Sequence, residues 1–281
     1  MTYGVTGATG QLGRLVVEKL KARVAPSDLV ALVRSPGKAA DLGVATREAD
    51  YARPETLATA LVGIDTLLLI SSSEVGQRAT QHRHVIQAAK AAGVKAVVYT
   101  SLLHADTSPM SLASEHVETE AMLRECGIPF TILRNGWYIE NHAGSARTAL
   151  AAGAFIGAAS GGRIAGAARA DLAEAAAIVL TTPGHDNQVY ELGGDERYTL
   201  ADLAAEIGRQ AGRELPYRDL GQAGYAQALQ SAGVPAPFAQ ALASWEADAA
   251  HGALDDDSRT LSRLLGRPTT PLTVVVRHAL Q

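Results

Sequence analysis

Between residues 3 and 134 the chain alternates short, mostly apolar runs with longer amphipathic ones, and this rhythm restricts the fold more than any other feature. The apolar runs are 3–5, 29–33, 44–46, 66–70, 96–99 and 130–133. Three of them, LVALV, TLLLI and AVVY, have no polar alternation, so they suit strands buried on both faces, as in a parallel sheet. The stretches between them carry helical periodicity at 12–24, 54–61, 75–92 and 114–125. Gly93 and Gly127 stand where a helix end places a glycine, and Pro54 stands near a first turn. Strand–helix alternation with right-handed crossovers predicts an α/β doubly wound parallel sheet, the Rossmann arrangement.

After Arg134 the rhythm changes. Residues 135–150 and 199–280 are mostly helical in pattern, broken at Gly153, Gly157 and Gly161–Gly162. Asp171 and Glu174 have capping-box spacing before an apolar run, and 187–192 reads as one more strand returning to the sheet. The division expected is a Rossmann lobe over 1–135, with later sheet elements around 163–192, and a smaller, mostly helical C-terminal lobe over 136–281. A length of 281 residues with 47% hydrophobic and 19% charged residues supports a well-filled core.

Composition removes several function classes. The formal net charge is −4, from 25 basic and 29 acidic residues, which disfavours a partner bound through phosphate neutralisation, so no nucleic acid is expected. The single cysteine, Cys126, cannot form an internal disulfide or a cysteine-cluster metal site, and it reads as packing. His82 and His84 point to different faces of a helix, His116 reads as a hydrogen-bonded histidine, and Asp255–Asp257 as a solvated turn with a helix cap; no metal is expected. There is no run of about 18 apolar residues, and Tyr3–Val5 follows without a basic-then-apolar leader, so membrane insertion is not expected and a cytoplasmic setting is.

The segment TGATGQLG (6–13) places Gly7, Gly10 and Gly13 between the first strand and the first helix. That context lets the first glycine make a tight turn, the second admit a pyrophosphate, and the third bring helix and strand together. The helix N-terminus then offers free N–H groups to anionic oxygens. This predicts dinucleotide binding by Gly7, Ala8, Thr9, Gly10, Gln11 and Leu12. The second strand decides which dinucleotide: it ends in Arg34, where an NAD site would place a carboxylate. A guanidinium there holds a 2′-phosphate, so NADPH is the expected cofactor, a solvated surface charge being the plain alternative.

None of the eight tyrosines is followed by lysine four residues later, and the five lysines all lie at or before Lys95. A Tyr-x-x-x-Lys acid–base mechanism is therefore excluded, and with it a sugar-nucleotide epimerase. The stretches TGATGQLG, LLLISSSEVGQR (67–78), YTSLLHADTSP (99–109), EHVETE (115–120), LRNGWYIEN (133–141) and DDSRTLSRLLGRPTTPL (256–272) resemble the bacterial NADPH:quinone oxidoreductases of the type-2 class. These are NmrA-like members of the atypical short-chain dehydrogenases, and triphenylmethane dye reductases look similar. The resemblance implies hydride transfer from NADPH to a quinone. It also implies cofactor contacts at Ser71, Ser72 and Ser73, at Asn135, Gly136, Trp137, Tyr138, Ile139 and Glu140, and at Arg169. Trp137 and Tyr138 would wall the pocket of a flat acceptor, and Tyr138, Asn141 or a water would donate to the developing oxyanion. The rival is a non-catalytic NADP(H)-binding redox sensor of the NmrA type, for which a missing Tyr/Lys pair is equally natural. A homodimer is left open.

Overall fold

All four residues of β1 (Tyr3–Thr6) are buried, and the strand pairs in parallel with a neighbour on each side. With both faces covered, every position favours an apolar or internally satisfied side chain. Thr6 meets that condition by donating its hydroxyl to the Leu68 carbonyl at 3.0 Å. A computed structural model describes residues 1–281, which divide into two units.

The first unit comprises residues 1–105, 114–135 and 170–190. After β1 the chain forms α1 (Gln11–Lys21), β2 (Leu29–Val33), β3 (Ala45–Glu48), α2 (Pro54–Ala60), β4 (Thr66–Leu69), α3 (Arg78–Ala91), β5 (Ala96–Leu102), α4 (Ala113–Glu125) and β6 (Phe130–Asn135). It continues through α5 (Ile139–Ala143), α6 (Ala146–Ala152) and β7 (Phe155–Gly157) to α7 (Arg169–Thr181) and β8 (Gln188–Leu192). The sheet has seven strands in the order β3-β2-β1-β4-β5-β6-β8, the doubly wound order with one strand added. The order reverses between β1 and β4, so the carboxyl ends of these two strands flank the crevice where such sheets take ligands. One core cluster of this unit packs Leu32, Leu57, Leu67, Leu69, Val85, Val97, Tyr99, Leu123 and Ile132.

The second unit comprises residues 106–113, 136–169 and 191–281. Beyond α5, α6 and β7 it contains α8 (Leu200–Ala211), β9 (Tyr217–Asp219), α9 (Gly221–Ser231), α10 (Ala236–Ala250), α11 (Thr260–Leu265) and α12 (Leu272–Leu280). Its core gathers Met110, Ile139, Phe155, Ile164, Tyr198, Leu203, Ile207, Trp245 and Val276. The glycine-broken stretch also forms a small parallel pair, β7 with β9. No helix is long and apolar enough to cross a membrane.

Three local expectations need correction. The helix expected from residue 75 starts at Arg78, because Gly76 has φ +85° and a left-handed residue cannot sit inside a right-handed helix. Asp171 does not open its helix. α7 begins two residues earlier, and the carboxylate of Glu140 accepts the Arg169 N–H at 2.9 and 3.1 Å. The reciprocal capping box lies instead at Thr199 and Asp202 of α8. The Asp255–Asp257 turn caps no helix: Arg259 is the N-cap of α11 without a side-chain bond, while Asp255 forms a two-pronged pair with Arg197.

Candidate functional site

The turn after β1 is built by its glycines. Gly7 has φ +59°, which permits the sharp departure from the strand, and its carbonyl accepts the Gly10 N–H at 2.9 Å. A Cβ on Gly13 would lie 2.3 Å from the Gly7 oxygen and 2.7 Å from the Ala8 Cα, so only glycine lets α1 settle onto the turn. The N-terminus of α1 is left open. Gly10 caps it without a side chain, the first turn has no acidic residue, and the first intrahelical bond runs from the Arg14 N–H to the Gly10 carbonyl. The preceding N–H groups, at Gln11, Leu12 and Gly13, have no partner within the helix, and the helix dipole adds positive potential there. This end of α1 fits an anionic pyrophosphate.

Arg34 follows β2 and is exposed. Its Nη1 pairs with the Glu74 carboxylate at 2.9 Å. Ser71, Ser72 and Ser73 follow β4, and the first two are tied to the interior. Ser71 donates its N–H to the Thr100 hydroxyl at 2.9 Å, and Ser72 donates its hydroxyl to the Gln81 side-chain oxygen. Ser73 is exposed.

The support for this serine turn is buried and aromatic. The Ser72 N–H donates to His82 Nε2 at 2.9 Å. Since Nε2 accepts, the ring proton sits on Nδ1, which meets the Thr119 hydroxyl at 2.9 Å. Burial, then the nearby Arg78 charge, pulls the His82 pKa down to about 3, so this histidine stays neutral. Arg78 itself donates to the Ser72 carbonyl at 2.8 Å and pairs with Glu115 at 3.0 Å. His116 is also buried and meets the Tyr99 hydroxyl at 2.7 Å. No local pattern announces that His82 and Arg78 reach the serine turn, since both bonds depend on how β4 and α3 pack.

From the last residue of β6 onward the remaining sequence-derived residues fall into two groups. In the first unit, the side-chain oxygen of Asn135 is buried without a hydrogen-bond partner. In the second, Gly136 runs so close to other backbone that a Cβ would lie 2.9 Å from the Leu192 carbonyl. The indole N–H of Trp137 is buried and likewise has no partner. Orphaned buried polar atoms are uncommon and point to a partner not belonging to the chain. Tyr138, Glu140, Asn141 and Arg169 are brought together. The Arg169 guanidinium lies 4.7 Å over the Tyr138 ring and donates to the Asn141 side-chain oxygen at 3.1 Å. Ile139 is buried in the core of its unit.

The second unit also holds a buried polar set that no motif announces. Glu246 accepts the Ala158 N–H at 2.6 Å, and a Cβ on Gly157 would strike its carboxylate. Burial raises its pKa to about 7. His142 lies 3.9 Å from that carboxylate and 3.3 Å from the Tyr198 hydroxyl.

A doubly wound sheet with an open helix N-terminus above its first strand defines a dinucleotide-binding protein. Residues 7–183 match the NAD(P)H-binding family, and the chain belongs to it. It is 56% identical to quinone oxidoreductase 2 of Escherichia coli (strain K12), over 98% of this chain and 97% of that one. Among solved structures, the NADPH complex of the E. coli NADPH-dependent quinone oxidoreductase QOR2 superposes with a TM-score of 0.97, at 54% identity and over all of both chains. The triphenylmethane reductase of Citrobacter sp. gives 0.95 at 36% identity, over 100% of this chain and 99% of that one.

Proposed function

We propose that this chain is an NADPH-dependent quinone reductase. The observation that carries the reading is its 56% identity to quinone oxidoreductase 2 across essentially the whole chain. In this reading the N–H groups of the Gly7–Leu12 segment hold the pyrophosphate, and Arg34 takes the 2′-phosphate. Ser71–Ser73 lie along the middle of the dinucleotide, and Asn135–Glu140 serve its nicotinamide end, with Arg169 beside them. NADPH, when bound, supplies the hydride.

The chain's own residues have a limited task. Reduction of a quinone places charge on an oxygen conjugated with an aromatic ring, a far weaker base than a simple alkoxide. Such an acceptor needs orientation and hydrogen-bond donors more than a matched general acid. The absence of lysine after Lys95 is compatible with that chemistry and incompatible with the Tyr/Lys mechanism. Trp137 and Tyr138 supply flat surfaces for stacking, and the Tyr138 hydroxyl and Asn141 amide supply donors.

The test is NADPH consumption, followed by absorbance, with and without a small benzoquinone or naphthoquinone, beside NADH and a triphenylmethane dye. Enzyme-dependent loss of NADPH that requires quinone supports the proposal. Tight NADPH binding without turnover on any acceptor replaces it with the redox-sensor reading.

A further inference from the structure

Arg34 leaves the carboxyl end of β2 and Glu74 lies on the turn beyond β4, with β1 between those strands. Their 2.9 Å ion pair therefore reaches across the end of the strand that leads into the glycine turn. Exposed ion pairs are usually loose, and here the side chains are 67% and 48% exposed. Glu74, however, is held from behind. Its second oxygen accepts the side-chain amide of Gln81 at 2.8 Å, and Gln81 is buried. The Gln81 oxygen in turn accepts the Ser72 hydroxyl, and the Glu74 N–H donates to that same Ser72 oxygen at 3.2 Å. The carboxylate is thus fixed to the serine turn and offered to Arg34 from a defined position.

We propose that Glu74 is a specificity-determining residue that competes with the 2′-phosphate for Arg34 and so restrains the preference for NADPH over NADH. The proposal rests on Arg34 being the 2′-phosphate ligand, as in the reading above. A 2′-phosphate docking on this guanidinium meets a carboxylate already bonded to Nη1 and tied on its other oxygen to Gln81. Like charges then sit on either side of one cation, at a separation where water and salt screen them only in part. NADH carries no such phosphate and so brings no like charge against the carboxylate. Arg34 attracts the phosphate and Glu74 limits how much that attraction delivers.

The variant Glu74→Gln removes the charge, keeps the shape and retains an oxygen for the Gln81 amide. Equilibrium titration of the full chain with NADPH and with NADH, at low and high salt, reads the effect. For Glu74→Gln we expect NADPH to bind about threefold or more tightly at low salt, the gain shrinking as salt screens it, and NADH to change by less than about twofold. NADPH binding that is unchanged or weaker in Glu74→Gln overturns the proposal, a weakening meaning that Glu74 orients Arg34 instead. Arg34→Gln is measured in parallel. If it leaves the preference for NADPH intact, the assignment of Arg34 itself fails and the role of Glu74 falls with it. If it abolishes the preference while Glu74→Gln does nothing, only the role of Glu74 is lost.

Discussion

His82, inside α3, accepts the peptide N–H of Ser72 at 2.9 Å and so fixes the backbone of the turn that follows β4. Only a neutral imidazole can accept there, so protonation and this contact are mutually exclusive. His82 is held down to about pKa 3 and His142 to about 4, both chiefly by burial, and His116 shifts the same way.

The sign of the pH dependence follows. Below the ordinary histidine pKa of about 6.5 the unfolded chain takes up protons that the folded chain refuses. The stability these histidines contribute is therefore full above about pH 6.5 and falls as pH drops toward 4, each contributing up to about 1.4 kcal/mol per pH unit. Glu246, raised to about 7, takes up its proton first in the folded chain and offsets about one histidine's share as pH falls below 7. Denaturant unfolding at pH 7.5, 6 and 5 measures the slope. The variant His82→Gln is expected to flatten it by about one histidine's share, and an unchanged slope would count against a neutral, buried His82.

Glu120 and Arg134 form a buried, two-pronged pair at 2.9 and 2.8 Å, with the Ser101 hydroxyl donating to the same carboxylate at 2.7 Å. Glu120→Gln leaves the guanidinium without its full counter-charge in the interior. It is expected to cost about 3–5 kcal/mol of unfolding free energy. A cost below about 1 kcal/mol would mean that the pair is hydrated and not buried as described.

Gly13 and Gly10 are expected to respond differently to alanine. At Gly13 the new Cβ meets backbone at 2.3 Å, and neither the Gly7 oxygen nor the Ala8 Cα can yield without moving the turn. At Gly10 the nearest atom is 3.2 Å away. Gly13→Ala should lower the melting temperature and weaken NADPH binding together, at a stability cost of about 1–3 kcal/mol. Gly10→Ala should be milder in thermal unfolding, and equal losses would remove the packing argument for the third glycine.

Tyr138→Phe keeps the ring under the Arg169 guanidinium and deletes only the hydroxyl. If that hydroxyl donates to the acceptor oxygen, kcat with a small quinone falls by about tenfold or more while NADPH affinity holds. Unchanged turnover would remove Tyr138 as a donor and leave it as a wall.

The legible parts of this molecule are those encoded by neighbours in sequence. The unbroken apolar runs LVALV and TLLL specify strands covered on both faces, and the Gly7–Gly10–Gly13 turn is a local backbone pattern. What stayed hidden depends on distant partners. α7 is capped by Glu140, 29 residues before it, so the local Asp171–Glu174 spacing pointed to the wrong start. The three-residue strands β7 and β9 are too short for any period to register, and their paired residues, Phe155 with Tyr217 first, lie far apart in the chain. In the site, Arg34 was visible at the end of its strand, whereas its partner Glu74 lies 40 residues on. The same holds for His82, whose role exists only because β4 delivers Ser72 to it.

The first unit is assembled from three separate stretches of chain, and its last stretch, residues 170–190, supplies α7 and most of β8. During synthesis this unit cannot be completed when residue 135 emerges, although the glycine turn and six of its seven strands are already made. At ribosomal speeds of about 5–20 residues per second, several seconds pass before β8 arrives to flank β6. For that interval β6 is a bare strand edge, the kind of surface that recruits other chains. The interleaved order of the chain thus leaves the β6 edge uncovered in the nascent protein, whereas in the finished one β8 covers it.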